Sequence, residues 1–99
     1  MTRLVVVGDA LLDIDVVGVA RRLSPDAPVP VLDDIVEHPR PGGAALAAVM
    51  AADDGHDVTL VTAVGDDEDG RRLQGLLAGV TVVALPYTGP TPVKRRVRS

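Results

Sequence analysis

Two acidic residues and a glycine pair carry most of the chemistry that this sequence can offer. Asp9 and Asp13 follow the valine-rich run Leu4–Val7, which is typical of a buried strand in a parallel sheet. Later in the chain, Gly42 and Gly43 open an alanine-rich stretch that is typical of a helix. A carboxylate beyond a strand can accept hydrogen bonds from hydroxyl groups, and the free N–H groups of a helix start can meet a polar ligand. The pattern therefore predicts a polar ligand between the two segments.

Each of these features also has a purely structural interpretation. Pro41-Gly42-Gly43 can be a turn that leads into a helix. Asp9 can cap a turn, and Asp13 can point into solvent. Local pattern leaves both interpretations open.

The order of the predicted elements indicates an α/β fold with a mainly parallel sheet. Pro28 and Pro30 each lack an N–H donor on the same side of the chain, so the strand that contains them is predicted at a sheet edge. Asp66 is predicted to cap the second helix. The predicted strands are 4–7, 14–19, 29–36, 57–64, 80–85 and 93–99, and the predicted helices are 42–54 and 66–78.

Charge and composition exclude several classes of protein. The net charge is −4, and every acidic residue precedes residue 70, so the acidic body argues against nucleic-acid binding. The basic end, which includes Lys94 and Arg96, is either a phosphate contact or a solvated strand, and the solvated strand is favoured. The sequence has no cysteine, and no apolar run is long enough to span a membrane. A cytoplasmic location is the expectation.

Other candidate sites receive little support. The acid-dense segment 65–70 lacks the spacing of a calcium loop, and helix capping explains it without a metal. His38 and His56 have no partner at metal-ligand spacing and are predicted to be surface residues. The sequence contains neither the glycine fingerprint of dinucleotide sites nor a P-loop.

Five stretches carry a family pattern over nearly the whole chain: Val5–Asp13, Arg22–Val31, Pro41–Ala45, Val64–Gly70 and Thr91–Val97. The most discriminating of them contains Ser-Pro-Asp-Ala-Pro-Val-Pro. In this order and with these gaps, they resemble the ribokinase-like (PfkB) family of carbohydrate kinases, and in particular the kinase modules of bacterial heptose-7-phosphate kinase/adenylyltransferases.

The resemblance implies the amino-terminal part of a three-layer α/β/α sheet domain with a small β lid. Segments 14–19, 29–36 and 93–99 would form the lid, which covers the sugar and can mediate homodimers. Asp13, Gly42 and Gly43 fall where the family binds sugar hydroxyls. Asp9 and Lys94 complete the predicted substrate-binding set, and a further hypothesis is that Lys94 or Arg96 meets a phosphate already on the substrate.

Two departures from the family pattern change the expectation. Leu46 stands where the family has an asparagine, and losing a substrate hydrogen bond there would cost about 1–3 kcal/mol. Family kinases are also roughly three times this length, and their catalytic aspartate and nucleotide pocket lie beyond residue 99. No catalytic residue and no metal ligand is therefore assigned here, and ATP and Mg²⁺ are expected for the full-length family rather than for this chain.

The sequence thus predicts a partial carbohydrate kinase domain over residues 1–99, which binds an acceptor sugar or sugar phosphate and is inactive alone. Two alternatives stay open: a non-catalytic dimerisation module, or a truncated remnant of a kinase. A small nucleotide-binding α/β domain is a third option, but the glycine fingerprint that it requires is missing.

Overall fold

The computed structural model describes residues 2–99, which form two three-stranded sheets and two helices. The elements are β1 (Arg3–Val7), β2 (Ala10–Leu23), β3 (Pro30–Gly43), α1 (Ala44–Asp53), β4 (Asp57–Ala63), α2 (Glu68–Gly75), β5 (Val80–Leu85) and β6 (Val93–Arg98). Neither helix of the described residues is long or apolar enough to cross a bilayer.

The first sheet has the strand order β1-β4-β5, and all its strands are parallel. Parallel neighbours need a crossover, and α2 provides it between β4 and β5. Helix α1 lies close against this sheet because the residues that it turns inward, Ala45 and Ala48, are small and fully buried. The predicted α/β class with a parallel sheet is confirmed.

The second sheet has the order β3-β2-β6. Strands β2 and β3 form a long antiparallel hairpin, and β6 runs parallel to β2 on its other side. The predicted edge position of the proline-bearing strand is therefore confirmed. The hairpin carries a bulge beside Gly18, where Asp34 adopts a φ of 54° and pairs with Arg21 at 2.8 Å.

The core lies between the inner face of β2, the two helices and one face of the first sheet. Side chains along a strand point alternately to its two faces, so burial of Leu12 and Ile14 sends Asp13 and Asp15 to the outer face of the second sheet. The buried cluster is Ala10, Leu12, Ile14, Ala45, Ala48, Val58, Leu60, Leu73 and Leu77.

The prediction that the first strand is buried on both faces is wrong. Val5 and Val7 of β1 are 67% and 72% exposed. Helix α1 packs on the face that carries Leu4 and Val6, and nothing in residues 2–99 covers the opposite face, which also bears Val83.

Several element boundaries differ from the predicted ones. The hairpin strands are longer than 14–19 and 29–36, but residues 14–19, 30–36 and 93–98 all lie in the second sheet. Helix α1 starts at Ala44 because Gly42 and Gly43 still pair with β2. Helix α2 spans Glu68–Gly75 rather than 66–78, and its cap is Asp67 rather than Asp66.

Candidate functional site

A cleft of about 300 Å³ opens between the second sheet and helix α1. Its lining residues are Asp13 of β2, Arg40 and Pro41 of β3, and Leu46 and Val49 of α1. The strands supply two charged residues and a proline, the helix supplies two apolar residues, and most of the lining surface is apolar. This volume lies at the lower end of the range for small-molecule sites.

Asp13 lies in the cleft because of the alternation of β2. Its chain neighbours Leu12 and Ile14 are fully buried in the core, so the Asp13 side chain must point to the other face. The residue is half-buried, and within residues 2–99 its carboxylate makes no side-chain hydrogen bond or ion pair. Both carboxylate oxygens can therefore accept hydrogen bonds from a ligand.

Gly42 allows the Asp13 carboxylate to lie against the backbone of β3. Gly42 is buried and pairs with Leu11 across the hairpin. A Cβ atom at this position would collide with the Asp13 carboxylate and would lie 2.7 Å from Cδ1 of Leu11. The structure thus brings Asp13 and Gly42 together at the cleft.

Gly43 turns the chain from β3 into α1. Its φ of 57° is in the left-handed region, and a Cβ there would lie 2.5 Å from the carbonyl oxygen of Asp9. That carbonyl accepts a 2.9 Å hydrogen bond from the Ala44 amide. Asp9 therefore acts at the helix start through its backbone, while its side chain is exposed and does not line the cleft. No side chain caps α1.

Lys94 lies beside Asp13 without lining the cleft. In the β2–β6 pair Lys94 is the register partner of Asp13, and in the β2–β3 pair the partner is Arg40. Partners in register project from the same face of a sheet, so Asp13 lies between two cationic positions. Neither cation forms an ion pair with it among the described residues.

Sequence reasoning missed Arg40 and Asp15. The Arg40 guanidinium donates a hydrogen bond of 2.9 Å to Oδ2 of Asp15 on the outer face of the hairpin. Alternation along β2 puts Asp15 on the same face as Asp13, and that signal was present in the sequence. The position of Arg40 required the hairpin register, which local pattern does not contain.

Asp67 joins the first turn of α2 to the segment that leads into β6. Its carboxylate accepts hydrogen bonds from the Gly70 amide at 2.8 Å, the Thr91 amide at 2.9 Å and the Thr91 hydroxyl at 2.6 Å. The Thr91 hydroxyl in turn accepts one from the Gly65 amide at 3.1 Å. The next carbonyl, of Pro92, accepts the Leu12 amide at 3.0 Å, so this cluster anchors β6 beside the strand that bears Asp13.

These hydrogen bonds, first those from the Thr91 hydroxyl and amide and then that from Gly70, hold the pKa of Asp67 below its ordinary value. The acid-dense segment thus caps a helix, as predicted, although the capping residue is Asp67 and not Asp66. Residues 2–99 contain no group of three or more His, Cys, Asp or Glu side chains that could hold a metal ion.

The two histidines differ from each other. His38 is exposed, as predicted. His56 is half-buried, and its Nδ1 is buried without a hydrogen-bond partner, so the prediction of an ordinary surface residue is wrong for His56. The His56 amide bonds to the Ala51 carbonyl at the end of α1, and this bond holds the residue against the helix terminus.

The sequence matches one protein-family model and several known proteins. A family model described as pfkB family carbohydrate kinase matches residues 1–91. The chain is 58% identical over 97 residues to the bifunctional protein HldE of Streptomyces coelicolor, covering 97% of this chain and 21% of that protein. It is 47% identical to the bifunctional protein HldE of Hydrogenovibrio crunogenus, covering 99% of this chain and 21% of that protein. The chain thus spans about a fifth of the length of these relatives.

Solved structures show the same fold. A carbohydrate kinase from Agrobacterium tumefaciens superposes with a TM-score of 0.78 at 21% identity, covering 98% of this chain and 31% of that one. Phosphofructokinase-2 from Escherichia coli in complex with fructose-6-phosphate gives a TM-score of 0.66 at 23% identity, with coverage of 98% and 31%. The predicted ribokinase-like fold is confirmed by these likenesses.

Replacing Gly42 by alanine should destabilise the fold by about 1–3 kcal/mol, because the new methyl group must displace the Asp13 carboxylate and Leu11. The matched control is Gly75→Ala in α2, where a Cβ meets no atom within 4 Å and helix propensity predicts a gain of up to about 1 kcal/mol. Urea unfolding followed by circular dichroism measures both. Equal stability of Gly42→Ala and the parent would contradict the close packing at this site.

Acid stability should depend on Asp67. Because its folded pKa is lowered, the ionised carboxylate stabilises the fold fully above the unfolded value of about 3.9, and this contribution is lost as pH falls through the folded pKa. Asp67→Asn should lower the melting temperature near pH 7 and flatten its decline below about pH 4. Thermal melts across this range test it, with exposed Asp66→Asn as control. If the melting temperature of Asp67→Asn changes with pH in parallel with that of the parent, the ionised Asp67 carboxylate does not make this contribution to stability.

Proposed function

Since the chain belongs to the pfkB family of carbohydrate kinases, we propose that it supplies the acceptor-sugar side of an ATP-dependent sugar or sugar-phosphate kinase. The observation that carries this proposal is the unpaired Asp13 carboxylate, which lies against Gly42 in a cleft at the start of α1. The second sheet, with its segments 14–19, 29–36 and 93–99, acts as a lid over that cleft.

In this proposal each wall of the cleft meets a different part of the sugar. Asp13 accepts hydrogen bonds from hydroxyl groups, which also aligns the acceptor hydroxyl for phosphoryl transfer. The first-turn amides of α1 that follow Ala44, whose own amide is bound by the Asp9 carbonyl, donate to sugar oxygens. Leu46 and Val49 pack against the C–H face of the ring. Leu46 cannot form the hydrogen bonds of the asparagine found in the family, so the contacts to the sugar differ on the helix wall of the cleft.

Phosphoryl transfer needs further groups. The family uses ATP and Mg²⁺, but the carboxylates of residues 2–99 form no cluster that fits a metal ion, and Asp67 is already occupied by Thr91 and Gly70. In this proposal the chain alone therefore has no turnover. Lys94, beside Asp13, contributes positive charge toward a phosphate already on the acceptor, so Lys94→Glu should weaken binding of a sugar phosphate more than that of the plain sugar.

The test is ligand binding by NMR titration of the chain with fructose, fructose 6-phosphate and sedoheptulose 7-phosphate. At least one should shift amide resonances at Asp13, Gly42 and Leu46, and Asp13→Asn should weaken that binding about ten-fold, because an ionised acceptor is lost. Asp9→Asn, outside the cleft, is the matched control. A coupled assay of ADP release with the same sugars should read as blank. Absence of any shift at the cleft, or turnover above blank, would count against the proposal.

A second candidate role, self-association through the lid, is favoured by exposed apolar side chains on the second sheet, including Ile35 and Val36 at 57% and 53% exposure. The bare face of the first sheet, with Val7, is the competing surface. Sedimentation equilibrium of the parent, Val36→Lys and Val7→Lys distinguishes them. Association through the lid predicts that only Val36→Lys shifts the chain toward monomer. A monomeric parent, or a shift only with Val7→Lys, would exclude it.

A further inference from the structure

Arg40 lies near two carboxylates, those of Asp13 and Asp15, and it bonds to Asp15. In the β2–β3 register Arg40 lies directly opposite Asp13, whereas Asp15 is its diagonal neighbour. Opposite residues in an antiparallel pair have Cβ atoms about 4.5–5.5 Å apart, and diagonal ones about 7–8 Å. The guanidinium nevertheless bonds to Asp15 at 2.9 Å and makes no ion pair with Asp13 among the described residues.

Because Arg40 bonds to Asp15, the Arg40 guanidinium and the Asp13 carboxylate do not neutralise each other. Asp15 is the more protected partner, with a side chain 17% exposed, while 59% of the Arg40 side chain is exposed. Arg40 lines the cleft, and one of its guanidinium nitrogens is bound by Asp15. The other guanidinium N–H groups make no side-chain hydrogen bond within residues 2–99, so they can donate to a ligand. Asp13 keeps both oxygens for hydroxyl groups.

A guanidinium beside a free carboxylate suits a ligand that carries hydroxyl groups and an anionic group together. The fork of N–H donors matches the oxygens of a phosphate monoester better than a lysine ammonium does. Leu46 and Val49 form an apolar wall opposite these charged groups, against which the carbon skeleton of such a ligand can pack.

We propose that Arg40 is a specificity-determining residue that binds a phosphate group on the acceptor sugar, and that Asp15 is a positioning residue that keeps Arg40 from neutralising Asp13. This inference rests on the proposed function, because it concerns the same cleft. It differs from the contribution assigned to Lys94, which lies outside the lining of the cleft.

Removing Asp15 should release Arg40 onto its directly opposite partner. In Asp15→Asn the guanidinium then pairs with Asp13, and affinity for the plain sugar falls by up to about five-fold, the strength of an exposed ion pair. Removing Arg40 as well should restore that affinity, because the competing cation is gone. The double variant should therefore bind the plain sugar more tightly than Asp15→Asn does. A purely structural role of Asp15 does not produce this non-additive result.

The experiment measures dissociation constants for fructose and fructose 6-phosphate with the parent, Arg40→Gln, Asp15→Asn and the double variant. The preference of the parent for the phosphorylated probe should fall about ten-fold in Arg40→Gln. Arg21→Gln, which removes an arginine paired with Asp34 elsewhere on the hairpin, is the matched control and should keep the parent's ratio. An unchanged ratio in Arg40→Gln, or loss of the ratio only in Lys94→Gln, overturns the assignment to Arg40.

A second readout needs no ligand. The side-chain carboxyl ¹³C resonance of Asp13 should move in Asp15→Asn and return toward its parental position when Arg40→Gln is added. An Asp13 resonance that is the same in the parent and Asp15→Asn overturns the positioning role. If the parent binds neither probe but the resonance moves as expected, the proposed function and the role of Arg40 in phosphate binding fail, while the positioning of Arg40 by Asp15 stands.

Discussion

The alternation of side chains along β2 is the constraint on which the rest of this structure depends. One face of the strand completes the core through Leu12 and Ile14, and the other carries Asp13 and Asp15. Because the period of a strand is two residues, a shift of one position would bury the carboxylates and expose the core. Burial of two aliphatic side chains, each contributing roughly 1.5–3 kcal/mol, therefore also fixes where the polar chemistry lies.

The strands on either side of β2 are held by different means. The hairpin partner β3 ends at Gly42 and Gly43, which let the backbone approach Asp13 and Asp9 before α1 begins. The other partner, β6, comes from a distant part of the chain and is anchored by Asp67 through Thr91. Strand β2, which bears Asp13, is thus held by one local and one long-range connection, so its position depends on both the hairpin and the cap of α2.

How far the sequence predicts this arrangement differs from element to element. Valine-rich runs predicted where strands occur, and the proline-rich stretch predicted the edge position of β3. The glycine pair predicted the start of α1 to within two residues, but the two hairpin strands extend four to seven residues beyond their predicted bounds. The double-sided burial of β1 was wrong, because an apolar run does not reveal whether a second layer covers it, and Val5 and Val7 are exposed here. The cap of α2 was placed one residue early, since Asp66 and Asp67 are equally suited by type and only Asp67 meets Thr91.

The sequence by itself determined the α/β class, most element types, and the presence of a carboxylate after a strand and a glycine pair before a helix, because these follow from local periodicity and backbone freedom. Only the tertiary structure decided that Arg40 lies opposite Asp13 and bonds to Asp15, and that Lys94 lies on the other side. These relations depend on strand register between segments 25 residues or more apart. Alternation within one strand fixes which face is buried, but the partner of each residue depends on the connecting turn in the hairpin and on packing between distant segments for β6.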